Sequence, residues 1–152
     1  MATVGSLMRR RLLTADPGEP VALAVRRMAE LNLGALLVTE AGRLVAIFSE
    51  RDLLRRVVGA GLDPAATPIG SVATPQPVTV TATTPLADCA RLVRERDVRH
   101  LPVVDGEGRP VGLLSTRDFL QLALDEIEDL AERARRGRQR EELTDPYEPA
   151  GG

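Results

Sequence analysis

Lysine and tryptophan are absent from the 152 residues, cysteine and histidine occur once each, and aromatic residues make up 2%. The lone cysteine, Cys89, excludes an intramolecular disulfide and a Cys-rich metal site, and one Cys with one His, His100, cannot assemble a Cys/His zinc centre. No nucleophile is evident for that single histidine, so triad hydrolysis has no support. So few aromatic side chains leave no stacking platform for single-stranded nucleic acid. Neither a Walker A nor a G-x-G-x-x-G sequence is present. Carboxylates are numerous, but they fall on solvated helix faces or in a repeated motif, which gives paired acid–base catalysis no specific support. The chain reads as non-enzymatic, with no metal.

Charge is nearly balanced. Twenty basic against 22 acidic residues give a formal charge of -2, with no positive excess to favour nucleic acid or an anionic membrane. Every basic residue is Arg, the better bidentate phosphate binder. No apolar run is long enough to cross a membrane, and the uncharged stretch 64–87 is broken by five prolines. Arg9, Arg10 and Arg11 precede any long apolar run, unlike the order of a signal peptide. A cytoplasmic protein is expected. A length of 152 residues at 43% hydrophobic suits one domain or two small repeats sharing a core.

What the chain does have is a stretch used twice. Residues 42–58 read GRLVAIFSERDLLRRVV, and residues 108–124 read GRPVGLLSTRDFLQLAL. Each is an apolar run of β period ending in Ser and restarting at helical spacing, which predicts a strand feeding a helix with Ser-x-Arg-Asp at the junction. Comparing 36–58 with 102–124 gives eight identities: Val38/Val104, Gly42/Gly108, Arg43/Arg109, Val45/Val111, Ser49/Ser115, Arg51/Arg117, Asp52/Asp118 and Leu54/Leu120. The chain is an internal duplication.

Taken in order, a strand is expected near Leu12 to Ala15, then turn chemistry at residues 16–20 with Pro20 as the first helical residue. The helix that follows carries Val21, Ala24, Val25, Met28 and Leu31 inward and stops at Asn32-Leu33-Gly34. Residues 35–39 and 44–48 form a hairpin. A helix from Ser49 turns Leu53, Leu54, Val57 and Val58 inward and ends at Gly59-Ala60-Gly61. Residues 63–77 are a connector holding a small apolar turn, Ile69 to Ala73. The second half repeats the plan, with Val78 to Thr81 as the early strand and Leu86, Cys89, Ala90 and Val93 as the helical stripe. The last helix runs on: Leu120, Leu124, Ile127, Ala131 and Ala134 form a seam that needs a partner surface. Beyond about Leu143 disorder is expected.

These signatures, AIFSERD at 46–52, RHLPVVD at 99–105 and GLLSTRD at 112–118, resemble the cystathionine β-synthase (CBS) domain family, in the tandem arrangement called a Bateman module. The resemblance covers roughly residues 4 to 124. It implies an α+β fold of two β-α-β-β-α repeats, 1–64 and 65–124, packed sheet to sheet about a pseudo-twofold axis, with 125–152 as a C-terminal helical extension and tail. It further implies a stand-alone regulatory module, often a homodimer, that needs no cofactor for chemistry. Such a module takes AMP, ADP, ATP or S-adenosylmethionine in clefts between the repeats and signals to a partner protein.

Site residues follow from that resemblance. Asp52 and Asp118 would hold ribose hydroxyls, while Ser49, Ser115, Thr116, Arg51, Arg117, Arg99 and His100 would face phosphate. Thr84, Val98 and Pro102 would line half of one cleft, with Ala35 and Leu36 at the corresponding strand of the other repeat. An ionised Asp accepts two hydrogen bonds from a vicinal diol, and Ser at a helix N-terminus lies beside unpaired N–H groups. The halves differ: Glu19 stands for Thr84 and Leu36 for Pro102, so the cleft using the second repeat's elements is expected to be the better site. Ala46 in place of Gly112 narrows the first approach. Plainer roles compete. Ser-x-x-Asp is also a capping arrangement, His100 also suits packing, and Cys89 suits a buried small residue. The alternative to ligand sensing is a ligand-free dimerisation or interaction module.

Overall fold

The computed structural model describes residues 2–143 and divides them between two compact units, residues 1–116 and the stretch from residue 117 on. The first unit holds α1 (Val4–Leu7), β1 (Thr14–Ala15), α2 (Val21–Leu31), β2 (Ala35–Glu40), β3 (Arg43–Ser49), α3 (Glu50–Asp52), β4 (Thr74–Pro75), α4 (Leu86–Arg96), β5 (His100–Val104) and β6 (Pro110–Ser115). The second is essentially α5, Thr116–Leu143. The expected tail beyond residue 143 lies outside the described residues.

One sheet runs β1-β2-β3-β4 and the other β5-β6, with Val80 bridged in parallel to Val103. Strand alternation splits the first sheet's side chains between two environments. Leu36, Val38, Ala46 and Phe48 point into a core with Val21, Ala24 and Met28 of α2. Ala35, Leu37 and Ile47 point the other way, where Leu113 of β6 packs against them. The two repeats therefore meet through their sheets. The β2–β3 turn places Ala41 and Gly42 at φ 49 and 77, the type I′ arrangement that matches strand twist.

Two short segments are exchanged between the repeats, which periodicity did not reveal. Thr3 bridges to Pro85 while Pro20 bridges to Pro68, and Arg9 pairs with Leu113 while Thr74 pairs with Ile47. The segment ahead of the first repeat thus completes the second, and the connector completes the first. Gly5 N donates to Ala82 O at 2.8 Å and its counterpart Gly70 N to Pro17 O at 2.9 Å. At Gly70 a Cβ would stand 2.7 Å from Pro17 Cβ, closer than real carbon contacts allow. Gly70→Ala is expected to cost about 1–3 kcal/mol through that overlap, read as a lower urea midpoint. Gly18→Ala, where nothing lies within 4 Å, is the control and should leave the midpoint in place.

Several expected details are corrected. Pro20 is the N-cap and not the first helical residue, its ψ of 140 being extended. Leu31, the last residue of α2, and Ala90, next to the buried Cys89 on α4, are exposed. After α3 the chain winds as a π-helix, Leu53–Val58. The wider i→i+5 winding keeps Val57 buried but leaves Leu54 and Val58 67% and 62% exposed.

Candidate ligand-binding site

The Ser49–Asp52 junction is built by local capping chemistry. Ser49 ends β3 in an extended conformation, and its Oγ accepts from Asp52 N at 3.3 Å. Asp52 Oδ2 returns the arrangement by accepting from Ser49 N at 3.0 Å and from Ser49 Oγ at 3.2 Å. This is a capping box, with Asp in the position often held by Glu. The other carboxylate oxygen accepts from Thr74 Oγ1 at 3.2 Å and lies 3.6 Å from Arg56 Nε. Asp52 is 7% exposed. Its hydroxyl contacts are long beside the ~2.5–2.7 Å usual for O–H···O⁻ bonds. The box aims the carboxylate without exhausting its acceptor capacity of about four lone pairs.

This carboxylate lines a cavity of about 230 Å³ between the two repeats, with walls from Ile47, Ser49, Glu50, Arg51, Thr74, Asp97, Val98, Arg99 and His100. The first repeat supplies the motif, and the second supplies the stretch entering β5. That stretch is turned into place by Asp97, left-handed at φ 49 as the C-cap of α4. Arg51 reaches across to Asp97 at 3.8 Å. Asp97 is 93% exposed, so the pair is well screened and weak, and Arg51 gives up little in exchanging it for another anion. His100 Nε2 and Glu50 Oε1 converge beside Gly34, 3.5 and 3.6 Å from where its Cβ would stand.

The sequence reading named Ser49, Arg51, Asp52, Val98, Arg99 and His100, and the cavity holds them together. It did not name Ile47, Glu50, Thr74 or Asp97 as site residues. Thr74 had a signal, because an offset of 65 aligns it with Arg9 on the exchanged strands. Thr84, Pro102, Ala35 and Leu36 are not among this cavity's walls. Thr84 Oγ1 accepts from Thr81 N at 3.1 Å, Pro102 sits fully buried opposite Leu113, and Ala35 and Leu36 belong to the core. Ser115 ends β6 opposite His100, and Thr116 N donates to Arg99 O at 2.9 Å. In the second unit Asp118 is buried and Arg117 exposed.

Two arguments for inequality between the halves change. Glu19 is paired with Arg27 at 3.1 Å, which offsets the charge expected to act against a phosphate in the first repeat's half. Gly112 is small for a packing reason: a Cβ would meet Met8 Sδ at 2.5 Å and Arg9 O at 3.3 Å. The counterpart of Met8 in the first repeat is Ala73, which leaves room for Ala46 beside it. Cys89 is fully buried, and burial followed by the neighbouring Asp88 charge pushes its thiol up, away from reactivity. Among the described residues no group of His, Cys, Asp and Glu could hold a metal, and no helix is long and apolar enough to cross a membrane.

The CBS domain family profile matches residues 4–59 and 69–125. The CBS domain-containing protein YhcV of Bacillus subtilis is 29% identical over 119 residues, 78% of this chain and 84% of that protein. A CBS domain crystal structure superposes with a TM-score of 0.76 at 34% identity, covering 81% of this chain and 98% of the other. A CBS domain protein of Pyrobaculum aerophilum, solved in complex with AMP, has a TM-score of 0.71 at 30% identity over 81% of this chain and 99% of its own. Other curated relatives are longer: the chain spans 20% of an Arabidopsis thaliana CBS domain-containing protein and 62% of a Methanopyrus kandleri protein. With matches to both repeats over most of its length, this chain belongs to the CBS domain family and carries a tandem pair of CBS repeats.

Proposed function

We propose that the pair is a regulatory ligand sensor whose inter-repeat cavity takes an adenosine-containing ligand, with AMP first in rank, and that occupancy is passed to a partner protein in a cytoplasmic setting. The observation that carries this reading is the buried, pre-aimed Asp52 carboxylate facing a cavity whose opposite wall is Val98–His100. Asp52 would take the ribose diol, and Ile47 and Val98 would offer apolar surface to the base. Arg51, Arg99 and His100 would meet phosphate, with Arg51 leaving Asp97. A volume of about 230 Å³ lies below the ~300–1,000 Å³ typical of drug-sized ligands, which favours one phosphate over three. The AMP complex of the Pyrobaculum aerophilum relative supports the same choice.

Three acids, Glu50, Asp52 and Asp97, line the cavity beside two arginines and His100, so the cationic S-adenosylmethionine is the ligand to weigh against AMP. Isothermal titration of the purified chain with AMP, ATP and S-adenosylmethionine tests the proposal. Saturable heat with AMP and weaker binding of ATP are expected. No heat and no thermal shift with any of the three would end the ligand-sensing reading. No catalytic step is assigned to the chain.

A second reading has its own observation. Leu54 and Val58 on the π-helix, and Leu120 and Leu124 on α5, are exposed apolar residues, which supports assembly as a homodimer with or without ligand.

A further inference from the structure

His100 is the only histidine of the chain, and the cavity holds it with an acid from the other repeat. The same backbone bond closes both repeats at this level: Glu50 N donates to Gly34 O at 3.1 Å, and Thr116 N to Arg99 O at 2.9 Å. Gly34 therefore holds the place that Arg99 holds in the second repeat, and it brings no side chain. Into the room this leaves come His100 Nε2 and Glu50 Oε1, 3.5 and 3.6 Å from where a Gly34 Cβ would stand. The two atoms are thus at most about 7 Å apart, a range over which charges in a partly buried site act on each other. His100 is itself half-buried. The charged walls around it are Glu50, Arg51 and Asp52 from the first repeat and Asp97 and Arg99 from its own stretch. Ser115, opposite it on β6, carries no charge. Three acids against two arginines leave one negative charge over with the imidazole neutral, and none with it protonated. Histidine is the side chain whose ordinary range puts that change between about pH 5 and pH 8.

We propose that His100 and Glu50 form a proton-operated selector of ligand charge, in which a protonated His100 favours a phosphate and a neutral one favours a cation such as the sulfonium of S-adenosylmethionine. The selector rests on the adenosine reading of this cavity. Both ligands share a neutral adenosine, held by Asp52 and the apolar walls, so the selection falls on the group at the 5′ end. With His100 neutral, the Glu50 carboxylate opposes a phosphate there and attracts a sulfonium. A proton on His100 places a positive charge beside Glu50, and it turns the imidazole into a donor at both nitrogens for a phosphate oxygen. The sign follows from linkage. A ligand that prefers the protonated form binds more tightly below the imidazole's titration range and weakens as pH rises through it. A cationic ligand does the reverse.

Calorimetric titrations of AMP and of S-adenosylmethionine from about pH 5.5 to about pH 8 read the selector as the ratio of the two affinities. The phosphate of AMP and the amino group of S-adenosylmethionine themselves titrate in or near this range, so the reference is His100→Gln, which stays polar and takes up no proton. Divided by the same ratio in His100→Gln, the wild-type preference for AMP should fall by about tenfold as the pH rises across the range. Glu50→Gln should raise the preference for AMP several-fold at the upper end, doing by substitution what acid does in the wild type. A second measurement needs no variant. The single imidazole resonance of the untagged wild-type chain, followed by NMR against pH, should have its midpoint moved up by saturating AMP and down by saturating S-adenosylmethionine. A quotient that stays flat, a midpoint moved the same way by both ligands or by neither, or one ligand failing to bind at its favoured end of the range would each overturn the selector and leave ligand sensing in place. No saturable heat with either ligand at any pH would end the ligand-sensing reading and the selector with it.

Discussion

Asp52→Ala is expected to abolish measurable AMP binding while the protein stays folded. Asp52 is the one buried carboxylate among the three acids that line the cavity, aimed to accept from the ribose, and hydrogen bonds to a charged group contribute about 1.5–3 kcal/mol each. Losing one or two of them weakens binding by about tenfold to about ten-thousandfold at 1.4 kcal/mol per decade. The same substitution removes the acceptor for Ser49 N and Thr74 Oγ1, so stability should fall by about 1–2 kcal/mol, the scale of a lost cap. Asp52→Asn separates the two effects. It keeps shape and one acceptor oxygen, so it should recover much of the stability, yet its NH2 opposes a ribose hydroxyl donor and binding should stay poor. Titration calorimetry and urea unfolding on the pair read both. If Asn and Ala lose stability alike while retaining AMP affinity, Asp52 is a cap and nothing more.

The largest effect on stability is expected from Phe48→Ala. Phe48 is fully buried in the core between the first sheet and α2, among Leu36, Val38, Met28 and Val57. Truncating a buried Phe costs about 3–5 kcal/mol through lost transfer energy and the cavity left behind. That is a large share of the roughly 5–15 kcal/mol available to a domain. Chemical denaturation should show a strongly lowered midpoint. Since β3 ends at Ser49, the loosened strand should also blur the aim of Asp52, so AMP affinity should drop although residue 48 is not a wall of the cavity. Phe48→Leu, which keeps most of the volume, should show a small fraction of both losses. A Phe48→Ala midpoint within error of the wild type would mean the core is not where the burial places it.

These expectations lean on a fold that was largely legible from residues alone. Eight identities over 23 aligned positions exposed the duplication, and the apolar runs 35–39 and 44–48 fall on the β2–β3 hairpin. The exchanged segments were not legible, because α1 and β4 are four and two residues long and carry no period. They are held by backbone bonds and by close approaches at Gly5 and Gly70, which are tertiary facts. The exposure of Leu54 and Val58 was missed for a different reason. Helical spacing assumes i→i+4 winding, and the π segment breaks that assumption while leaving the apolar letters in place.

The candidate site divides in the same way. Ser49, Arg51 and Asp52 announced themselves as a repeated motif at a strand–helix junction, and Val98–His100 came through the family resemblance. Thr74 was not found, since it reaches the cavity on the exchanged strand β4, whereas Glu50 and Asp97 stand directly beside residues that were named, Ser49 and Val98. Gly112 and Ala46, read as a difference in ligand approach, turned out to answer Met8 and Ala73 across the exchanged strands.

The central claim is that the cavity around Asp52 takes an adenosine ligand, and one calorimetric titration tests it most directly. AMP is titrated into the wild-type chain and into Asp52→Ala under identical conditions. The account predicts saturable heat for the wild type and none for the variant. Equal binding by both, or no binding by the wild type, would contradict it.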